Sequence, residues 1–140
     1  MTTRFRELLT RALGRELGPG DEIPRERLAT AEHRLGFPLP EVMADFYMRA
    51  GGAPEFQAHS SLRAPEALEV EAGFLIFMEE NQRVVDWGIP LPVDSDRDPI
   101  VWQCVNCDPP EFYSEEMPFS EFIVRILAFT RGTDLPDDPW

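Results

Sequence analysis

Three apolar runs between Phe74 and Trp102 constrain this chain more than any other stretch. Phe74-Leu75-Ile76-Phe77-Met78 leads into the polar Glu79-Glu80-Asn81-Gln82, then Val84-Val85-Asp86-Trp87 follows, and Ile100-Val101-Trp102 makes the third run. β-Branched and aromatic residues suit a pleated surface, and a short polar turn between two such runs marks a β-hairpin. The pattern predicts strands over 73–79 and 83–88, the second ended by Pro90 and Pro92, and a third over 100–104. A further strand around Phe112-Tyr113 would complete an antiparallel sheet of about four or more strands. Asp86 alternates with Val85 and Trp87, so it should face the other side of the sheet from both.

The segments on either side have helical spacing. Phe5, Leu8, Leu9, Leu13 and Leu17 form one stripe and predict a helix over 3–17, stopped by Gly18-Pro19-Gly20. Arg4, Arg6, Arg11 and Arg15 fall on its solvated face. Leu28, Ala31 and Leu35 mark a second helix from Pro24 to Gly36. After the extended Phe37-Pro38-Leu39-Pro40 link, Val42, Met43, Phe46, Tyr47 and Ala50 mark a third, ended by Gly51-Gly52. The stretch 53–72 reads as loop with one helical turn, and 64–70 fits either a short helix or an edge strand. Phe119, Phe122, Ile123, Ile126, Leu127 and Phe129 predict a last apolar helix from Pro118 to Thr130. The expected class is α+β, with N-terminal helices, the sheet, and a C-terminal helix packed on it. One domain over 1–132 is expected, a helix in 1–20 leading its 23–130 core, with 133–140 as a loose acidic tail.

Composition narrows the functional classes. All 13 basic residues are arginine, and without lysine there is neither a Schiff base nor a P-loop. The net charge of −13 is uneven: residues 1–36 carry 7 Arg and 6 acidic residues, whereas 37–140 carry 6 Arg and 20 acidic residues. Such a surface repels nucleic-acid phosphates and anionic membranes, so neither is an expected partner, and it attracts a basic protein. No apolar run approaches a membrane span, and the N-terminus lacks a signal-like stretch, so the expected location is the cytoplasm.

The candidate sites each have a plain alternative. Glu79 and Glu80 at the hairpin tip can meet an arginine-rich partner, while Glu79-Glu80-Asn81-Gln82 also reads as a turn, with Asn81 suited to left-handed backbone. Asp94, Asp96 and Asp98 alternate as in a calcium loop. They lack its glycine and closing glutamate, and so read as a solvated loop or part of an acidic face. Trp87 and Trp102 could serve as exposed interface anchors, but lying in predicted strands beside aliphatic residues they are expected in the core. Cys104-x-x-Cys107 leaves a strand and meets two prolines, and His33 and His59 are the only histidines. Neither a zinc site nor a thioredoxin-like motif is expected there, and no metal or cofactor is assigned. No spacing of carboxylates singles out an acid–base pair, so no catalytic residue is expected and the chain does not read as an enzyme.

Three ordered segments resemble the SUKH superfamily, which includes the fungal SMI/KNR cell-wall regulators and many bacterial immunity proteins. The first holds Glu32, then Leu35-Gly36-x-x-Leu39-Pro40, Phe46-Tyr47 and Gly51-Gly52. The second holds Glu80-Asn81-Gln82, Trp87-Gly88, and Asp98-Pro99-x-Val101-Trp102. The third is Phe119-Ser120-Glu121-Phe122-Ile123, similar to the family's Ser-Phe-x-x-Phe start of a last helix. Pro118 departs from the capping serine often found there, and the Cys pair matches no family pattern. The resemblance implies a non-enzymatic binding domain with no shared catalytic residues. It further implies an immunity protein that neutralises a toxin, many of the family's toxins being nucleases, or alternatively a regulatory scaffold of the SMI/KNR type. The acidic balance of residues 37–140 adds the expectation that the toxin is bound through an acidic surface.

Overall fold

A computed structural model describes residues 1–136 and Trp140. Helix α1 (Thr3–Leu13) starts where the Thr2 hydroxyl accepts from the Phe5 N–H at 3.1 Å. It stops at Gly14, four residues before the predicted end, because Gly14 adopts the left-handed backbone (φ 74°) and donates back to Thr10. Helices α2 (Arg25–Leu35) and α3 (Glu41–Ala50) follow Pro24 and Pro40, as the sequence predicts.

The stretch 53–72 holds more structure than one helical turn. It contains 3₁₀ turns at Pro54–Gln57 and Pro65–Ala67 and two short strands, β1 (Ser61–Leu62) and β2 (Glu69–Glu71). Both strands pair with one edge of β3 (Phe74–Glu79). Then come β4 (Val85–Pro90), β5 (Ile100–Val105) and β6 (Glu111–Pro118), which runs straight into α4 (Phe119–Arg131). The sheet is antiparallel in the order β1-β3-β4-β5-β6, with β2 also on β3. Its six strands among the described residues agree with the expected four or more, β1 and β2 joining the four predicted from composition.

One face of the sheet is covered by helix. Phe119 and Phe122 of α4 meet Phe77 with ring centroids 5.1 and 5.8 Å apart, and Trp87 lies 5.6 Å from Phe122. Phe46 joins the layers, touching Phe5, Tyr47, Phe56 and Phe119. A register shift between Ile76 and Met78 leaves Phe77 as an extra residue on β3. That bulge lets Phe77 and Met78 both enter the helical core. The core also fixes β1: the buried Tyr47 hydroxyl donates to the Arg63 carbonyl at 2.6 Å, and burial raises its pKa.

Three expectations are corrected. Arg15 does not lie on a solvated helix face: beyond the end of α1 its guanidinium forks Asp21 at 2.8 and 2.9 Å and Glu55 at 2.7 and 2.9 Å. Phe129 points outward and is 84% exposed, since the buried side of α4 is already filled by Ile123, Val124 and Leu127. Trp102 is not part of the helical core. Gly88 and Trp102 are cross-strand partners on the face opposite Trp87. Of the tail, the Thr133 hydroxyl donates to Ala12, Asp134 accepts from Arg11, and Leu135 packs against the core. Asp137, Asp138 and Pro139 lie outside the described residues.

Candidate functional site

Alternation along the strands sends Phe74 and Ile76, Asp86 and Gly88, Trp102 and Cys104, and Phe112 to the face away from the core helices. Phe74 on β3 and Phe112 on β6 stack at 5.0 Å and 18°, although β4 and β5 run between them. Strands pair about 4.8 Å apart, so the two rings lean across roughly 14 Å of sheet. Trp102 joins them at 5.9 Å from Phe74. Gly88 makes the closure possible: a Cβ there would sit 2.9 Å from the Ile76 Cδ1 and the Leu75 carbonyl, and 3.2 Å from the Phe74 Cβ.

This aromatic layer belongs to the face on which two chemically active side chains are buried. Cys104 is cross-strand to Asp86 on one side and to Phe112 on the other. Burial, and then the charges of Asp86 and Glu71, push its thiol up to about 11. It is therefore protonated at neutral pH and a poor nucleophile or ligand. Cys107 is exposed, and both cysteines are free thiols. Among the described residues, no group of three or more His, Cys, Asp or Glu is placed to hold a metal ion.

Asp86 is the unusual residue. It is 1% exposed, its Oδ2 accepts from the Asn106 side-chain amide at 3.3 Å, and its Oδ1 has no hydrogen-bond donor among the described residues. Arg83 Nε lies 3.6 Å from that oxygen, an ion-pair distance too long for a hydrogen bond. Leaving a buried acceptor without a donor costs about 1–3 kcal/mol, and such an atom calls for an explanation. Trp87 Nε1 also lacks a partner among the described residues, but it belongs to the side chain packed on Phe122.

Around Asp86 lies a mixed cluster. Arg63 is buried against Glu69 at 3.2 Å and Glu79 at 3.1 Å, and Arg83 approaches Glu79 at 3.7 Å. Glu71 is held above the usual carboxylate range, first by desolvation, then by its hydrogen bond with Glu69 and the charges of Glu69 and Asp86. Four carboxylates thus face two guanidinium groups. The groove beside β2, about 560 Å³ and lined by Arg34, Arg63, Glu66 and Glu69, is built from charges that already have partners.

The structure places the five acidic residues named as partner-binding candidates at two separate ends of β4. Glu79 and Glu80 sit at the β3–β4 turn, whereas Asp94, Asp96 and Asp98 lie in the β4–β5 loop, at the other end of a six-residue strand roughly 20 Å long. Glu80 shapes the hairpin turn, accepting from the Val84 N–H at 3.3 Å. The left-handed residue of that turn is Arg83 (φ 59°), with Asn81 outside that region. Asp94 closes its own loop by accepting from the Asp96 N–H and from Arg97, both at 3.1 Å. Asp98 accepts from Ser120 at the start of α4. Of the five, Glu79 alone joins the Asp86 cluster.

The resemblance-bearing residues hold the backbone together. Glu32 accepts from the Leu39 N–H at 2.7 Å, and Pro40 precedes α3. A Cβ on Gly51 would come within 2.7 Å of the Tyr47 ring, and Gly52 donates to the Asp21 carbonyl at 2.9 Å. Pro99 accepts from the Phe119 N–H at 2.8 Å, and Gln82 lies exposed in the hairpin turn. Compared with protein families, curated proteins and solved structures, the chain matches none.

Sequence reasoning placed Asp86 on the correct face but did not single it out. Its signal was a lone carboxylate inside an apolar strand. The Phe74–Phe112 closure left no trace in the sequence, because 38 positions separate residues that only strand order brings together.

Proposed function

We propose that this chain is a SUKH-type protein-binding domain, and that it acts as an immunity protein occluding a basic toxin domain. The observation that carries the reading is the outer face of the sheet. There Glu69, Glu71, Glu79 and Asp86 outnumber Arg63 and Arg83 beside the aromatic set Phe74, Trp102 and Phe112. Aromatic side chains are enriched at the centres of tight protein interfaces, and the acidity of residues 37–140 steers a basic partner towards the molecule. The order of the Glu32 to Phe122 segments supports the family reading. No helix among the described residues is long and apolar enough to cross a membrane.

The test is co-expression with a toxin encoded by an adjacent gene. Restored growth, and a complex that survives gel filtration in moderate salt, are expected. Absence of both overturns the immunity reading. Binding to a basic cellular protein without protection from any toxin supports the regulatory scaffold class in its place. Affinity that is unchanged between low and high salt counts against an acidic-face mechanism.

A further inference from the structure

Asp86 presents a buried carboxylate oxygen that no donor among the described residues satisfies, beneath a largely exposed side chain. Arg83, 57% exposed, reaches Asp86 Oδ1 at 3.6 Å and Glu79 Oε2 at 3.7 Å, neither at hydrogen-bond distance. Its backbone is in the left-handed region (φ 59°), unfavourable for arginine, and its neighbours Asn81, Gln82 and Val84 are exposed. Arg63 contrasts with it. That side chain is buried and hydrogen-bonds Glu69, Glu79 and the Ala67 carbonyl, so it is fixed in place. Moving Arg83 disturbs no strand pairing and uncovers two carboxylates side by side, since Glu79 and Asp86 are cross-strand partners.

We propose that Asp86 is the central acceptor of the partner-binding face, that Arg83 covers it in the free protein, and that an arginine of the partner takes the place of Arg83. The inference rests on the basic-partner reading above and names the point of contact. A guanidinium fits better than an ammonium because its planar fork can donate to Asp86 Oδ1 and Glu79 together. Phe112, one register step beyond Cys104 from Asp86, offers a ring face at the border of the same patch. Glu71 adds charge from β2. Arg83 thus acts as an internal competitor, keeping the carboxylate paired until a better-placed cation arrives.

The probes are hexa-arginine and hexa-lysine peptides, titrated into the full chain at low salt and followed by NMR. Hexa-arginine should bind more tightly, and should move the Arg83 Nε–H and Asn106 side-chain amide resonances. Asp86→Asn should weaken arginine binding about tenfold. Arg83→Ala should tighten it several-fold. Glu26→Gln, an equal charge change on exposed α2, should leave it within error. Equal weakening by Asp86→Asn and Glu26→Gln overturns the socket while leaving a general acidic-surface mechanism intact, as do shifts that bypass Arg83 and Asn106. Failure of the wild-type chain to bind either peptide overturns both. Should Asp86→Asn prove unfolded, the Arg83→Ala arm decides, because that side chain is largely exposed: unchanged or weaker binding overturns the proposal.

Discussion

Ser120 donates its backbone N–H, at 3.1 Å, and its hydroxyl to the two oxygens of Asp98. The loop between β4 and β5 is thereby tied to the first turn of α4, where Pro118 offers no side-chain cap. An acceptor at this position satisfies an otherwise orphaned helix donor and places negative charge at the positive end of the helix.

Asp98→Ala should therefore lower stability by about 1–2 kcal/mol, the usual worth of a helix cap. Asp98→Asn should recover part of that loss. Neither should alter partner affinity, since Asp98 lies at the far end of β4 from Asp86. Thermal or urea unfolding, with one binding measurement on each variant, checks both halves of the prediction.

The residues around Asp98 illustrate what a sequence can and cannot tell. Phe119 and Phe122 announced their helix through three-residue spacing, and Phe74 to Met78 announced a strand through composition, because those signals are local. Gly14 ended α1 early for a local reason too, yet the apolar Leu17 continued the periodicity past it. Leu17 does pack on the core, but from the loop. What stayed hidden depended on strand order. That Asp94, Asp96 and Asp98 sit apart from Glu79 follows from the direction and length of β4, which no local pattern gives. Arg15 looked solvated because its partners lie 6 and 40 positions away.

The Arg15 fork predicts an acid transition. Arg15 first, and then the Gly18 N–H, hold the Asp21 carboxyl down at about 2, below its ordinary 3.8; Glu55 is lowered by the same guanidinium. A depressed folded-state pKa stabilises the fold above the unfolded value, and that stabilisation is lost as pH falls from 3.8 towards 2. Arg15→Ala should destabilise the protein at pH 7 by about 2 kcal/mol, with partial exposure of the arginine keeping the effect below that of a fully buried pair. The variant should also lose less further stability over pH 4 to 2 than the wild type, as chemical unfolding at each pH will report.

Closure of the outer face can be read from its thiols. In the native protein a thiol reagent should modify Cys107 quickly and Cys104 slowly, because Cys104 is buried and its thiol is pushed up to about 11. Phe112→Ala removes one ring of the stack and should bring Cys104 to a rate near that of Cys107. Gly88→Ala should act in the same direction and destabilise the fold by about 1–3 kcal/mol through overpacking against Leu75 and Ile76. Two fast thiols in the wild type would show that the face is open.

The most direct measurement compares two triple variants of equal charge change by their Kd for the basic toxin domain proposed as the partner. One carries Glu71→Gln, Glu79→Gln and Asp86→Asn on the outer face of the sheet. The other carries Glu7→Gln, Glu26→Gln and Glu41→Gln on the helices. The expected result is an affinity loss of about 100-fold or more, with loss of growth protection, for the outer-face variant alone. Equal losses in both folded variants, or a greater loss for the helical one, would contradict binding through the outer face.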